Sequence, residues 1–316
     1  MSQPADQPSF GRFDRSIIVP FIVFTLVWST TWIVIRDQLG TVPPQWSVAY
    51  RFAIAAIAMA AVARWNGDSL KLDRGGLIAA TIIGVTQFCI NFNSVYLAER
   101  YITSGIVATV FAILLIPNSL LAWAFLGQKP GARFLAAAGV AVAGIGLLFL
   151  HEVRSSPEAA GHILAGLGLT IAGLLGASVA NVYQAGKQAR RMPLFALLAW
   201  SMAIGAVFDV GIAFAVAGPP IIDPRPEYWF GLVYLALAAS VLCFSLYFPV
   251  VRKIGPGKAA YSSVLVPIIA MAISTAVEDY RWSLLPAAGA ALAIGGVLLA
   301  LIGRRRPLPA TAPDAG

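Results

Sequence analysis

The chain has 316 residues, of which 59% are hydrophobic and only 11% charged, and it carries a net charge of +8. Soluble domains carry roughly 25% charged residues, so a water-soluble globule of this length is excluded. Nucleic-acid binding is not implied either, because the basic charge is spread over short segments between apolar runs.

Residues 1–15 form a polar tail and residues 304–316 a Pro/Ala-rich one. Between them lie apolar runs at 17–35, 45–63, 76–96, 104–126, 134–150, 161–183, 194–216, 229–251, 259–277 and 283–302. A helix needs about 17–25 apolar residues to cross a bilayer, so the expectation is an all-α integral membrane protein with ten transmembrane helices. The first run has no small-x-small cleavage site and reads as an uncleaved anchor. No alternating pattern of the β-barrel kind occurs.

Charge fixes the expected topology. With the N-terminus inside, the inner segments hold Arg12, Arg15, Arg64, Lys71, Arg74, Lys129, Arg133, Lys187, Arg190, Arg191, Arg252, Lys253, Lys258 and Arg304–Arg306. The opposite loops hold one arginine each: Arg36, Arg100, Arg154, Arg225 and Arg281. This is a positive-inside bias, with both termini cytoplasmic.

The stretch Ala137–Leu148 returns 150 residues later as Ala287–Leu298, with seven of twelve positions identical. At the same offset Pro117 maps onto Pro267 and Gln128 onto Glu278. The chain therefore reads as one five-helix unit used twice, over 16–151 and 160–303. Five is odd, so the second unit enters the membrane in the opposite direction, as in inverted-repeat transporters. Gly139/Ala143/Gly146 and Gly289/Ala293/Gly296 each form a small-residue helix face, suited to internal helix packing or to a homodimer contact. Pro117 and Pro267, inside helices four and nine, are hinge candidates with a static bend as the alternative.

Two charges lie well inside the runs, Arg51 and Asp209. Ionisable groups in lipid are costly and face a partner or a cavity. Both sit about 10 Å from the outer ends of their helices at ~1.5 Å rise per residue, so they are expected to pair or to flank one vestibule, as charge or coupling residues. Gln87, Asn91 and Ser94 share a face of helix three, and Ser178, Asn181 and Gln184 share a face of helix six. Trp28 and Thr31 lie on helix one, with Ser245 and Tyr247 late in helix eight. Together they offer donors, acceptors and aromatic faces for a small amphipathic or zwitterionic substrate, or serve as interhelical glue.

Other chemistry finds no support. Gly255-Pro256-Gly257-Lys258 lacks the first glycine of a P-loop, and His151 and His162 have no clustered ligands, so neither a nucleotide nor a metal nor any other cofactor is expected. Cys89 and Cys243 lie within apolar runs and read as small buried hydrophobes. Without a catalytic cluster inside the spans, a membrane-embedded enzyme or lipid scramblase is the weaker alternative to a carrier.

The two five-helix halves, Trp28-Ser29, Tyr50-Arg51-Phe52, the paired Pro117 and Pro267, and the helix ends Leu126-Gly127-Gln128 and Val277-Glu278 resemble the EamA type of the drug/metabolite transporter superfamily. The resemblance covers about 17–302. It implies a secondary transporter, commonly an exporter of amino acids or other metabolites in the bacterial inner membrane, with a central cavity between helices one, three, four, six, eight and nine. Gln128 departs from the Leu-Gly-Glu that often ends helix four in that family.

Overall fold

The computed structural model describes residues 15–127, 129–155, 157–254, 262–278 and 284–302. Gln128, the stretch Gly255–Lys258, Arg281 and both tail ends lie outside them. Among the described residues the secondary structure is entirely helical. In chain order the principal helices are α1 (Arg15–Asp37), α2 (Pro44–Trp65), α3 (Arg74–Ala98), α4 (Ser104–Leu126), α5 (Ala132–Ser155), α6 (Ala160–Ala185) and α7 (Leu194–Ala217). They continue with α8 (Pro226–Tyr234, Leu235–Leu242 and Cys243–Ile254 joined end to end), α9 (Ser262–Val277) and α10 (Leu284–Ile302).

Eight helices among the described residues are long and apolar enough to cross a membrane, from Ile17–Asp37 to Pro226–Lys253. The apolar segments Leu265–Val277 in α9 and Ala287–Gly296 in α10 are shorter.

Local chemistry sets the helix ends. Pro44 opens α2 in the first turn, where its missing N–H costs nothing. The Asp73 carboxylate accepts from the Gly76 amide at 2.6 Å and caps α3. Gly127, with φ 69°, closes α4 in the left-handed region open to glycine. In the connection before α8, Arg225 makes a forked ion pair with Asp223 at 2.9 Å, and these bonds hold the Asp223 carboxyl below its ordinary range.

The helices pair across the two halves: α2 with α7, α4 with α9, and α5 with α10. The last pair depends on small residues. A Cβ on Gly144 would lie 2.6 Å from the Gly289 carbonyl oxygen, and one on Gly296 2.8 Å from the Ala137 oxygen. Gly289 faces Gly144 and Leu148, while Gly296 faces Ala137 and Ala141. Contacts descend along α5 as they ascend along α10, so the two helices are antiparallel. The α10 face is the expected Gly289/Ala293/Gly296 stripe. The α5 face is not the expected one: Gly139, Ala143 and Gly146 are exposed, with open space beside both glycines. The stripe of Ala137, Ala141, Gly144 and Leu148 takes their place.

Two departures from α-geometry occur at matching places in the halves. Gly84–Asn91 in α3 and Leu235–Leu242 in α8 are π-helical. Such wide turns concentrate at functional sites. A shorter irregularity precedes Pro117: Ala112–Leu114 forms a 3₁₀ turn. Proline cannot donate to the carbonyl four residues back, and that carbonyl is Ile113's. Pro267 lies within a continuous α-helix, so the two prolines differ in their local backbone.

Candidate functional site

A cavity of about 140 Å³ lies in the middle of the bundle. Its polar wall comes from Trp28 and Thr31 on α1, Arg51 on α2, Gln87 and Asn91 on α3, Asn181 on α6 and Tyr247 on α8. Trp32, Phe92, Phe111 and Phe244 add aromatic surface, and Pro267 contributes from α9.

Most of these polar groups are held in place. The Trp28 ring packs against Phe24, Phe244 and Tyr247 at centroid distances of 5.1–5.6 Å, and its indole N–H donates to the Ala239 carbonyl at 3.0 Å. That carbonyl belongs to the π-helical part of α8. On the other side, Gln87 donates to Asn91 at 3.4 Å, and the Asn91 amide donates to the Gly173 carbonyl of α6 at 2.8 Å. Both amides belong to the π-helical part of α3, so each wide turn supplies polar groups to the cavity or to its wall. Thr31 folds back onto the Trp28 carbonyl at 2.7 Å.

Arg51 is the strongest electrostatic feature. It is 1% exposed. Its guanidinium lies 4.4 Å from the Phe92 ring centroid and 5.3 Å from that of Phe52. Nε donates to Ser240 Oγ at 3.1 Å, and Nη1 lies 3.5 Å from the Tyr96 hydroxyl, which donates to Gln38 at 3.1 Å. Among the described residues no carboxylate pairs with it. Aromatic faces and hydroxyls offset part of the desolvation cost of the charge, but they do not neutralise it.

The expected companion of Arg51 is elsewhere. Asp209 is fully buried and accepts from the Asn93 side-chain amide at 2.7 Å, and it does not line the cavity. The depths of Arg51 and Asp209 match, but depth along a helix says nothing about rotation around it. Asp209 faces α3 and Arg51 faces the cavity. Asp209→Ala is expected to lower stability by about 1.5–3 kcal/mol through loss of the charge-assisted bond from Asn93, whose amide keeps only its bond to the Cys89 carbonyl at 3.0 Å, and to leave the half-saturating substrate concentration unchanged. Thermal unfolding and uptake on the same variant check both.

Of the other residues singled out from sequence, Ser94, Ser178, Gln184, Ser245 and Pro117 lie off the cavity. Ser94 falls one turn after Asn91, beyond the π-helical turns of α3, and outside the cavity wall. Like Asn91, it packs toward Gly173 of α6. Ser178 is fully buried. Gln184 accepts from Arg252 at 3.3 Å, and Arg252 also donates to the Ala189 carbonyl at 2.9 Å, so these tie α6 to α8 at one end of the bundle. At the opposite end Arg36 sits 3.7 Å from Glu278. Trp32, Phe92 and Phe111 in the wall, and Asn93 beside Asp209, are not marked by the sequence, because residues in an apolar run carry no signal of which face they occupy.

The sequence matches the EamA-like transporter family over residues 15–150 and 163–302. Among curated proteins, Protein PagO of Salmonella typhimurium is 23% identical over 95% of this chain and 97% of its own length. The uncharacterized inner membrane transporter YedA of Escherichia coli (strain K12) is 25% identical over 88% of each chain. A protein of the same organism described as a "Probable amino-acid metabolite efflux pump" is 24% identical over 90% of this chain and 94% of its own. A solved crystal structure of a protein superposes with a TM-score of 0.66 at 18% identity, covering 92% of this chain and 99% of that one. That likeness concerns the fold.

Proposed function

The chain belongs to the EamA-like transporter family, and we propose that it is an inner-membrane secondary transporter exporting a small amphipathic metabolite that bears a carboxylate, such as an amino acid, by alternating access. The observation that carries this reading is Arg51: a buried cation with no ion-pair partner among the described residues, in the wall of an otherwise aromatic and amide-lined cavity. A substrate carboxylate supplies the missing charge. Gln87, Asn91 and Asn181 serve its polar remainder, and Trp28, Phe244 and Tyr247 serve its apolar part. The size of the cavity suits one small metabolite better than a lipid or a peptide. The name of the E. coli relative, an amino-acid metabolite efflux pump, agrees with this substrate class.

Ten spans in two inverted halves, with both termini cytoplasmic, complete the reading. The antiparallel α5–α10 pair and the matched π-helical turns support the inversion. In this topology Arg36, Glu99 and Glu278 lie at the outer end, and the ties among them make the conformer outwardly closed. Pro117 and Pro267 lie in α4 and α9, which must separate for the outer end to open.

Counterflow in proteoliposomes tests the reading. Vesicles preloaded with unlabelled amino acid are expected to accumulate the labelled compound transiently, and protein-free vesicles are not. Folded protein that moves no amino acid or related carboxylate would overturn it.

A further inference from the structure

Glu99 follows the last turn of α3 and is 0% exposed, and neither oxygen of its carboxyl has a hydrogen-bond partner among the described residues. An ionised carboxylate buried in this way is strongly disfavoured. Its charged neighbours are Glu278 and Arg36, brought in from the end of α9 and from α1. Glu278 is well satisfied: Ser104 Oγ donates to it at 2.7 Å, Ser274 Oγ also donates to it, and Arg36 Nε lies 3.7 Å away. Arg36 donates in addition to the main-chain carbonyl of Glu99. The cluster therefore holds two carboxylates and one guanidinium, a net charge of −1 if all are ionised. One added proton makes it neutral.

The remaining titratable groups on the surrounding elements do not change this sum. Tyr96, one turn back on α3, is the hydroxyl partner of Arg51. His162 of α6 lies against Tyr101 with the rings tilted by 38° and their centroids 5.6 Å apart. Ser104 in the first turn of α4 carries no charge, and Asp37 beside Arg36 and Arg100 beside Glu99 are both exposed to solvent. Burial raises the Glu99 carboxyl well above its ordinary range, the charge of Glu278 adds to this, and Arg36 opposes it.

The cluster also roofs the cavity. Three residues of the cavity wall lie within about a turn of it along their helices: Ile35 beside Arg36, Val95 before Glu99 and Ala108 after Ser104. Close approach at this end is permitted by Gly105, where a Cβ would lie 2.8 Å from that of Ser274.

We propose that Glu99 and Glu278, bridged by Arg36, form a proton-binding site at the outer gate, which takes up one proton when α1, α3, α4 and α9 close together and releases it when they part. The sign follows from the closed state holding the extra proton. Closure is unhindered below the ordinary carboxylate range and weakens as pH rises through the value of the buried site. Acidity outside thus favours closure of the outer gate. The inference rests on the alternating-access reading above, and its test reads the gate rather than the flux.

The experiment places spin labels at Tyr101→Cys and Val277→Cys, both exposed positions, in the full chain in nanodiscs, and measures their separation across a pH titration from acid to alkaline. The short-distance fraction is expected to fall as pH rises, with a midpoint above the ordinary carboxylate range. E99Q, whose amide mimics the protonated acid, is expected to stay closed throughout. E278Q removes the second charge and is expected to lose the pH dependence too. A wild-type gate equally populated at every pH overturns the proton site, as does E99Q titrating like the wild type. The wild-type titration alone decides the matter where a variant does not fold. A gate that opens at no pH counts against alternating access as well, whereas failed counterflow beside a titrating gate counts only against the substrate.

Discussion

Replacing Arg51 with methionine, which keeps much of the length and apolar contact of the side chain, is expected to weaken exchange of carboxylate-bearing solutes strongly. A hydrogen bond to a charged group is worth about 1.5–3 kcal/mol, which is roughly ten- to a hundredfold in apparent affinity. The loss should appear as a raised half-saturating concentration. It should also be selective: an amide analogue of the same solute, lacking the carboxylate charge, should bind the variant no worse than the wild type. Arg51→Lys restores the charge, but an ammonium cannot stack on Phe92 and reach Ser240 as the planar guanidinium does, so its rescue should be partial. Stability is not expected to fall, because removing a buried cation that lacks a carboxylate partner relieves a desolvation cost. Equal loss for acid and amide would remove Arg51 from substrate recognition.

The same residue shows what sequence can and cannot convey. Composition alone makes Arg51 conspicuous, since a charge within an apolar run is expensive. The helices themselves are equally plain: the run 104–126 becomes Ser104–Leu126, and 194–216 becomes Leu194–Ala217. Rotation about each helix axis is a different matter. Asp209 turns toward Asn93 and Arg51 toward the cavity, although spacing alone allows a pair. The π-helical turns at Gly84–Asn91 and Leu235–Leu242 are illegible in the sequence, because a wide turn is imposed by neighbours rather than by propensity. Here the Gly84 backbone lies against α7, where a Cβ would come within 2.6 Å of the Ser201 carbonyl oxygen. In sequence Glu99 falls between the runs 76–96 and 104–126, where a loop is expected. Its burial depends on the end of α9, far along the chain, where Glu278 bonds to Ser104 across a separation of 174 residues. Contacts of that range leave no trace in local pattern.

Gly144→Val is expected to be the most destabilising single substitution in the α5–α10 pair. Its side chain would enter a seam where a Cβ already stands 2.6 Å from the Gly289 oxygen and 2.9 Å from the Leu292 carbonyl carbon. These are backbone atoms, so no rotamer change can make room and the helices must move apart. In lipid the seam has no hydrophobic driving force to compensate, since apolar side chains are as well solvated by acyl chains as by each other. Overpacking of a tight core costs about 1–3 kcal/mol. The close backbone approach at Ala137, Ala141 and Leu148 would be lost together with that at Gly144, which places this case toward the upper end. Gly139→Val and Gly146→Val provide the contrast. Both glycines belong to the stripe that composition favours equally, and both have open space where the side chain would go. Substitutions away from packed features stay within about 0.5 kcal/mol, so these two should unfold with the wild type in a detergent denaturation series. If Gly139→Val were instead as damaging as Gly144→Val, the face of α5 that meets α10 would be the other one.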